Sequence, residues 1–273
     1  MRRMTDQRVT IETQDHVAHV RLVRGDKHNG LDGAMFLALR DAARDVRRIP
    51  GLRAVVLSGD GPSFCAGLDV ASFFAEDSPI GMDALGDRPD GVLANLAQAV
   101  AYDWRLVPVP VIAAVQGNCF GGGLQIALGA DIRIAAPDAK LSVMEIKWGL
   151  VPDMGLTVTL PPLVRQDVAK ELTFTGRIVS GTEAVELGLA TRTADDPLAA
   201  AHELAATIAS KSPDAIRAGK RLLNEAWDQD DAPSLLLETE LQVALLGSKN
   251  QMAAAQAAFT KQPGAFVDPE PEA

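Results

Sequence analysis

Three consecutive glycines, Gly121, Gly122 and Gly123, join a β-branched apolar run (Val111, Ile112, Val115) to a short apolar segment (Leu124, Ile126, Ala127, Leu128). The first run reads as a buried strand and the second as a short buried helix. A strand that passes through glycines into a helix offers unpaired N–H groups at a helix N-terminus, where partial positive charge gathers. Without a Cβ in the way, a ligand can touch that backbone. Such a turn can hold an oxyanion or a phosphate. The competing reading is tight packing of a buried turn. A second glycine-rich turn, GDGPSFCAGLDVA over 59–71, also leads toward a helix. Neither turn has the G-x-G-x-x-G spacing of a dinucleotide site: Phe64 stands where the third glycine would follow Gly59 and Gly61, and Gly121 to Gly123 are contiguous.

Nucleophile chemistry finds no support. His16, His19, His28 and His202 are the only histidines, and none is near either glycine turn in sequence. His16 and His19 read as strand residues and His202 as a helix-surface residue. No serine beside the glycines completes a Ser–His–Asp arrangement. Cys65 and Cys119 lie in apolar, glycine-flanked contexts without a CxxC or a Cys/His cluster, so they read as reduced buried thiols and not as a disulfide or a metal site.

The rest of the chain must position these turns. In 273 residues, 47% hydrophobic and only 4% aromatic, there is enough apolar material for one large aliphatic core with an appendage. A net charge of −10 argues against nucleic acid and anionic membrane as partners, though not against a small anion held locally. No long apolar span or signal h-region is present, which leads to the expectation of a soluble, cytoplasmic protein. Strands are expected over 9–11, 16–22, 54–58, 111–115, 131–135 and 139–144. Helices are expected over 33–48 with Asp32 as cap, over 92–106, and around 164–173. Residues 76–91, rich in Gly, Pro and Asp, read as a mobile loop, and 145–155 as an irregular one. Alternation of strands and helices to about residue 194 predicts an α/β core. After it, 197–210, 213–227, 234–246 and 248–260 all read as helices. Several carry apolar residues on more than one face, which predicts subunit contacts.

Taken together, FCAGLDV (64–70), PVIAAVQGNCFGGG (110–123) and DIRIAAPDAKLSVMEIKWGLVPDMG (131–155) resemble the crotonase, or enoyl-CoA hydratase/isomerase, superfamily. KHNGLD (27–32), LTFTGRIVSGTEAVELGLATR (172–192) and SKSPDAIRAGKRLL (210–223) extend the resemblance in the same order along nearly the whole chain. It implies a spiral of ββα units over 1–195 and a C-terminal helical region over 196–273 that builds trimers or dimers of trimers. It also implies an acyl-CoA substrate, with coenzyme A as part of that substrate and no separate cofactor or metal. The amides of Leu68 and Gly122 would then hold the thioester oxygen of an enolate, with Ala66, Gly67, Asp69 and Gly121 around them. Arg24 and Lys27 would meet the CoA phosphates. Phe259 and Lys261 resemble residues that reach CoA from a neighbouring subunit, at a spacing one residue short.

In hydratases of this superfamily two glutamates hold a water; the corresponding positions are Gln125 and Glu145. An amide orients water but does not exchange protons at neutral pH. Asp153, eight residues beyond Glu145, completes with it the pair used by the dienoyl-CoA isomerase branch. The leading expectation is therefore double-bond isomerisation, with one carboxylate taking a proton and the other returning one. The alternatives are hydration, with Gln125 positioning water, and a non-catalytic acyl-CoA-binding trimer. The plainer reading of Glu145 and Asp153 is as loop residues paired with Lys147 or Arg165. Trp148, Phe73, Phe74 and Met82 are candidates for lining the acyl pocket.

Overall fold

The computed structural model describes residues 7–73, 78–80, 86–88, 91–227 and 229–269. Strands β1 (Val9–Gln14) and β2 (Val17–Leu22) form an antiparallel hairpin. Asp15 and His16 turn it with φ of 49° and 66°. To β2 are added, all parallel, β3 (Ala54–Gly59), β4 (Val111–Val115), β6 (Ile132–Ala135) and β9 (Arg192–Thr193). A second, smaller sheet holds β5 (Asn118–Phe120), β7 (Lys140–Ser142) and β8 (Val179–Ser180).

Strand β4 is buried at all five positions, so its sequence shows no alternation. Val111, Ala113 and Val115 face the main core, whereas Ile112 and Ala114 join Val56 and Ile134 on the other face. That second face is closed by the helix Pro197–Ala209, whose Ala201 and Ala205, one turn apart, are both fully buried. Small side chains at that spacing let the helix lie close on the sheet. The helix starts sharply, because Asp196 accepts from the amide of Ala199 and a proline opens its first turn.

Strands β2, β3 and β4 each hand the chain to the second layer and then to a helix. β4 is followed by β5 and the helix Gly122–Gly129. β3 is followed by two single bridges, Cys65 to Cys119 and Leu68 to Leu31, before the helix Val70–Phe73. β2 is followed by the Leu31 end of that bridge and the helix Gly33–Val46, capped by Asp32 as expected. Cys119 pairs in turn with Leu141, and Leu141 with Val179. The second layer thus threads successive units together and makes the expected spiral of ββα units.

Several boundaries differ from the sequence reading. The helix expected over 92–106 is confined to Leu96–Tyr102, started by an Asn95–Gln98 capping box and followed by turns up to Pro108. The stretch 176–190 contains a strand and the helix Gly181–Leu187, which the sequence reading did not separate. Most of the expected loop over 76–91, together with Phe74 and Met82, lies outside the described residues. Beyond residue 210 come the helices Pro213–Ala226, Asp231–Leu245 and Lys249–Thr260. Among the described residues no helix is long and apolar enough to cross a membrane.

His19 is a strand residue as expected, whereas His16 lies in the hairpin turn and His202, expected at a helix surface, is partly buried. The rings of His19 on β2 and His202 on the covering helix meet edge-on, centroids 4.8 Å apart, and His19 Nε2 lies 2.8 Å from Ser58 Oγ. Burial, then the neighbouring His202 and Arg21, push the His19 pKa down to about 4 despite Glu12. The unfolded chain therefore binds a proton at His19 that the folded chain refuses between pH 6.5 and 4. Stability is full above pH 6.5 and falls as the pH drops through that window. Urea midpoints measured across it should decline less in His19→Gln than in the unaltered protein. Equal declines would show that this contact is not acid-sensitive.

Candidate active site

The two glycine turns are brought together by backbone hydrogen bonds. Phe64 N–H donates to the carbonyl of Gln116 at 2.8 Å, Cys65 N–H to Asn118 at 3.1 Å, and Phe120 N–H to Cys65 at 3.0 Å. From the other side, Leu31 N–H donates to the Gly67 carbonyl and the Leu31 carbonyl accepts from Asp69 N–H, at 2.8 and 3.1 Å. Leu68 is held between these two bonds. Gly67 has φ of +87°, and a methyl group placed on it would stand 2.7 Å from the Phe120 carbonyl oxygen and 3.8 Å from the Gly122 nitrogen. The bend ending at Leu68 therefore lies directly against the start of the helix Gly122–Gly129. Gly121 enters that helix with φ of 51° and ψ of −120°, a conformation open to glycine. Among the described residues no acceptor meets the amide of Leu68 or of Gly122. Two backbone donors on adjoining bends, one at a helix N-terminus, can share one oxyanion.

Glu145 opens a single 3-10 turn, Glu145–Trp148, just after β7. A methyl on Gly121 would stand 3.3 Å from its Oε1, so the carboxyl lies against the glycine turn. Gln125, 1% exposed on the facing helix, donates from Nε2 to Glu145 Oε1 at 2.6 Å. Its own Oε1 accepts the Met154 amide at 2.9 Å. Glu145 Oε2 is buried and has no hydrogen-bond partner among the described residues. Burial raises the Glu145 pKa and the charge of Asp153 adds to the rise; backbone N–H groups and Gln125 pull against it. Burial also raises Asp153, although its side chain reaches the surface. The cations offered by the plainer reading are engaged elsewhere: Lys147 sits over the Trp148 ring at 5.6 Å, and Arg165 bonds Asp167. Trp148 is 60% exposed.

The Gly67–Leu68 bend borders a cleft of about 380 Å³ lined by Lys27, His28, Ala66, Gly67, Leu68 and Ser72 among others; the Gly121–Gly123 turn and Glu145 lie outside that lining. Lys27 is exposed at its rim. Arg24 departs from the expectation of a phosphate contact. Its guanidinium turns inward, 2.8 Å from Asp69, 3.5 Å from Asp32 and 2.8 Å from the Gly30 carbonyl. Asp69 is thereby committed to Arg24 and Ser72, and these bonds outweigh its burial and hold its pKa below the usual value. His28, distant from both turns in sequence, is a wall residue. Its carbonyl accepts from Ala66 N–H at 2.9 Å and its Nδ1 meets Ser63 Oγ at 2.9 Å. The available signal in the sequence is the turn-forming run His-Asn-Gly, and the turn is made with left-handed φ at His28 (50°) and Asn29 (55°). Phe259, 89% exposed, and Lys261 do not line this cleft within one chain. A larger cleft of about 800 Å³, between Pro213–Ala226 and Asp231–Leu245, contains neither Glu145 nor the glycines.

A ββα spiral that carries adjoining amide donors, with a half-buried glutamate beside them, defines the crotonase class of fold. Residues 12–266 match the family model described as enoyl-CoA hydratase/isomerase, and the chain belongs to that family. It is 34% identical over 257 residues to the mitochondrial Delta(3,5)-Delta(2,4)-dienoyl-CoA isomerase of Mus musculus, covering 91% of this chain and 78% of that protein. It is 29% identical to the crotonyl-CoA hydratase of Syntrophomonas wolfei, covering 97% and 99%. A crystal structure titled putative enoyl-CoA hydratase from Streptomyces coelicolor superposes with a TM-score of 0.86 at 29% identity, over 98% of this chain and 96% of that one. The chain is an enzyme of the crotonase type.

Changing Gly67 to Ala forces a methyl toward the Phe120 carbonyl and disfavours the left-handed φ, so the Leu68 and Gly122 amides must part. Loss of one such donor typically costs about 10²-fold or more in turnover. We expect that loss on a CoA thioester with an unchanged far-UV circular dichroism spectrum. Turnover within about twofold of the parent would mean that the amide pair is not used.

Proposed function

We propose that this enzyme moves a double bond within an enoyl- or dienoyl-CoA, using Glu145 and Asp153 as its proton carriers. The observation that carries the reading is the Glu145 carboxyl, with a buried, unpartnered Oε2 beside the glycine turn and a second carboxylate near enough to raise its pKa. The amides of Leu68 and Gly122 hold the thioester oxygen while negative charge collects there. Each such donor lowers a barrier of this kind by about 3 kcal/mol. One carboxylate takes a proton from carbon, the electron pair moves through the conjugated system to the thioester oxygen, and the other carboxylic acid delivers a proton to a different carbon. The substrate is neither oxidised nor reduced, and no redox cofactor enters the step. A carboxyl whose pKa is raised serves this exchange better than an ordinary one near neutral pH.

Hydration is the second reading, favoured by the similarity to a protein named crotonyl-CoA hydratase. Against it stands the amide at position 125, which moves no proton. We read Lys27 and the His28–Ser72 cleft as the approach for CoA, and Phe259 and Lys261 as residues presented to a neighbouring subunit. The exposure of Leu235, Leu236, Val243 and Leu246 supports a trimer or a pair of trimers.

Bond migration, water addition and α-proton exchange in D₂O should be followed separately on a panel of 2-enoyl-, 3-enoyl- and dienoyl-CoA thioesters. Glu145→Gln should lower exchange and migration together by about 10²- to 10⁴-fold. Asp153→Asn should preserve exchange and abolish migration. Continued migration without Asp153 would defeat the isomerase reading, and water addition as the main reaction would establish the hydratase. Because the base must be ionised and its pKa is raised, the acid limb of activity should lie above the usual carboxylate range, with activity falling as pH drops through it.

A further inference from the structure

Gln125 occupies a position the reaction itself does not use, yet both ends of its side-chain amide are engaged. We propose that Gln125 is a positioning residue that sets the placement of Glu145 relative to Asp153 and keeps Glu145 from sharing a proton with a second acid. This inference rests on Glu145 and Asp153 being the proton carriers. The Met154 amide needs an acceptor, so the Gln125 carbonyl faces Met154 at 2.9 Å and its NH₂ must face Glu145. An NH₂ group only donates, and at 2.6 Å it ties down Oε1 alone. Oε2 is then the oxygen left without a partner. Asp153 immediately precedes Met154, so one buried amide grips the first carboxylate directly and the second through its neighbour's backbone.

The chemistry of position 125 follows from this geometry. A glutamate there could still accept from Met154, but its other oxygen would face Glu145 Oε1 at hydrogen-bond distance. Two carboxylates so placed share one proton and titrate as a pair. A donating amide instead favours ionised Glu145, against the burial that raises its pKa. The charged groups about Glu145 are Asp153, which opposes ionisation, and Lys147 two residues along, exposed and held over Trp148. Gln125 is itself 1% exposed, so its geometry is fixed by packing and not by solvent.

The test needs no knowledge of the physiological substrate. Carboxyl-¹³C glutamate labelling of the intact protein, with Glu145→Gln to assign the resonance, reads the titration of Glu145 directly. In Gln125→Met, of similar length but without donor or acceptor, it should move up by about one pH unit or more. The acid limb of α-proton exchange should follow, with kcat at pH 7 lowered about tenfold or more and KM changed less than about twofold. In Gln125→Glu, which keeps the shape if the methionine variant folds poorly, the titration should split into two steps, the upper one above that of the parent. An unmoved Glu145 titration in Gln125→Met, or a single unmoved step in Gln125→Glu, overturns the proposal. Migration that persists in Asp153→Asn would remove the isomerase reading while leaving these titrations to stand or fall alone.

Discussion

The site depends on a short run of backbone hydrogen bonds between two bends that are more than fifty residues apart in the chain. Cys65 donates to Asn118 and accepts from Phe120, and this pairing lays the Gly67–Leu68 peptide beside the start of the helix Gly122–Gly129. Amides in a helix or sheet interior are already bonded and have nothing to offer a substrate. At these bends the Leu68 amide lies between two bonds of a parallel bridge and the Gly122 amide in the first turn of a helix. Two donors remain, and in the proposed reaction the large sheet holds their spacing without cost. The parallel strands beneath, buried on both faces, make that platform stiff.

Against this platform the acidic groups are arranged by burial. Glu145 is pressed against the glycine turn, where desolvation raises its pKa, and backbone N–H groups together with the Gln125 amide limit the rise. Arg24, drawn inward by Asp69 and Asp32, braces the loop beneath the cleft and leaves Lys27 as the exposed cation at the rim. Positive charge near the cleft is thus divided between a structural guanidinium and a solvent-facing ammonium. That division follows from their chemistry: a guanidinium can bond several acceptors at once, and the ammonium on its flexible stem stays in water.

The C-terminal helices follow a different logic. Pro197–Ala209 is part of the platform, because it closes the far face of the large sheet. Asp231–Leu245 buries only Leu237 within one chain and leaves Leu235, Leu236 and Val243 about 60% exposed. A helix apolar on several faces is stable only when something covers those faces. This is the same sequence pattern that led to an expectation of subunit contacts.

Much of this protein could be read from its residues in order. The β-branched runs, the contiguous glycines and the Asp32 cap located the strands, the helix start and its entry, because each rests on local backbone preference. The motif order along the chain pointed to the family and to positions 68, 122, 125, 145 and 153, since identities and spacing are linear information. Other features required the folded chain. His28 joins the cleft wall at Ser63 and Ala66, Arg24 turns inward to Asp69, and His19 meets His202, each through contacts between residues 35 or more apart. The sequence by itself determined that position 125 carries an amide. Only the tertiary structure decided which way that amide points, because the Met154 backbone claims its oxygen and leaves its nitrogen to Glu145.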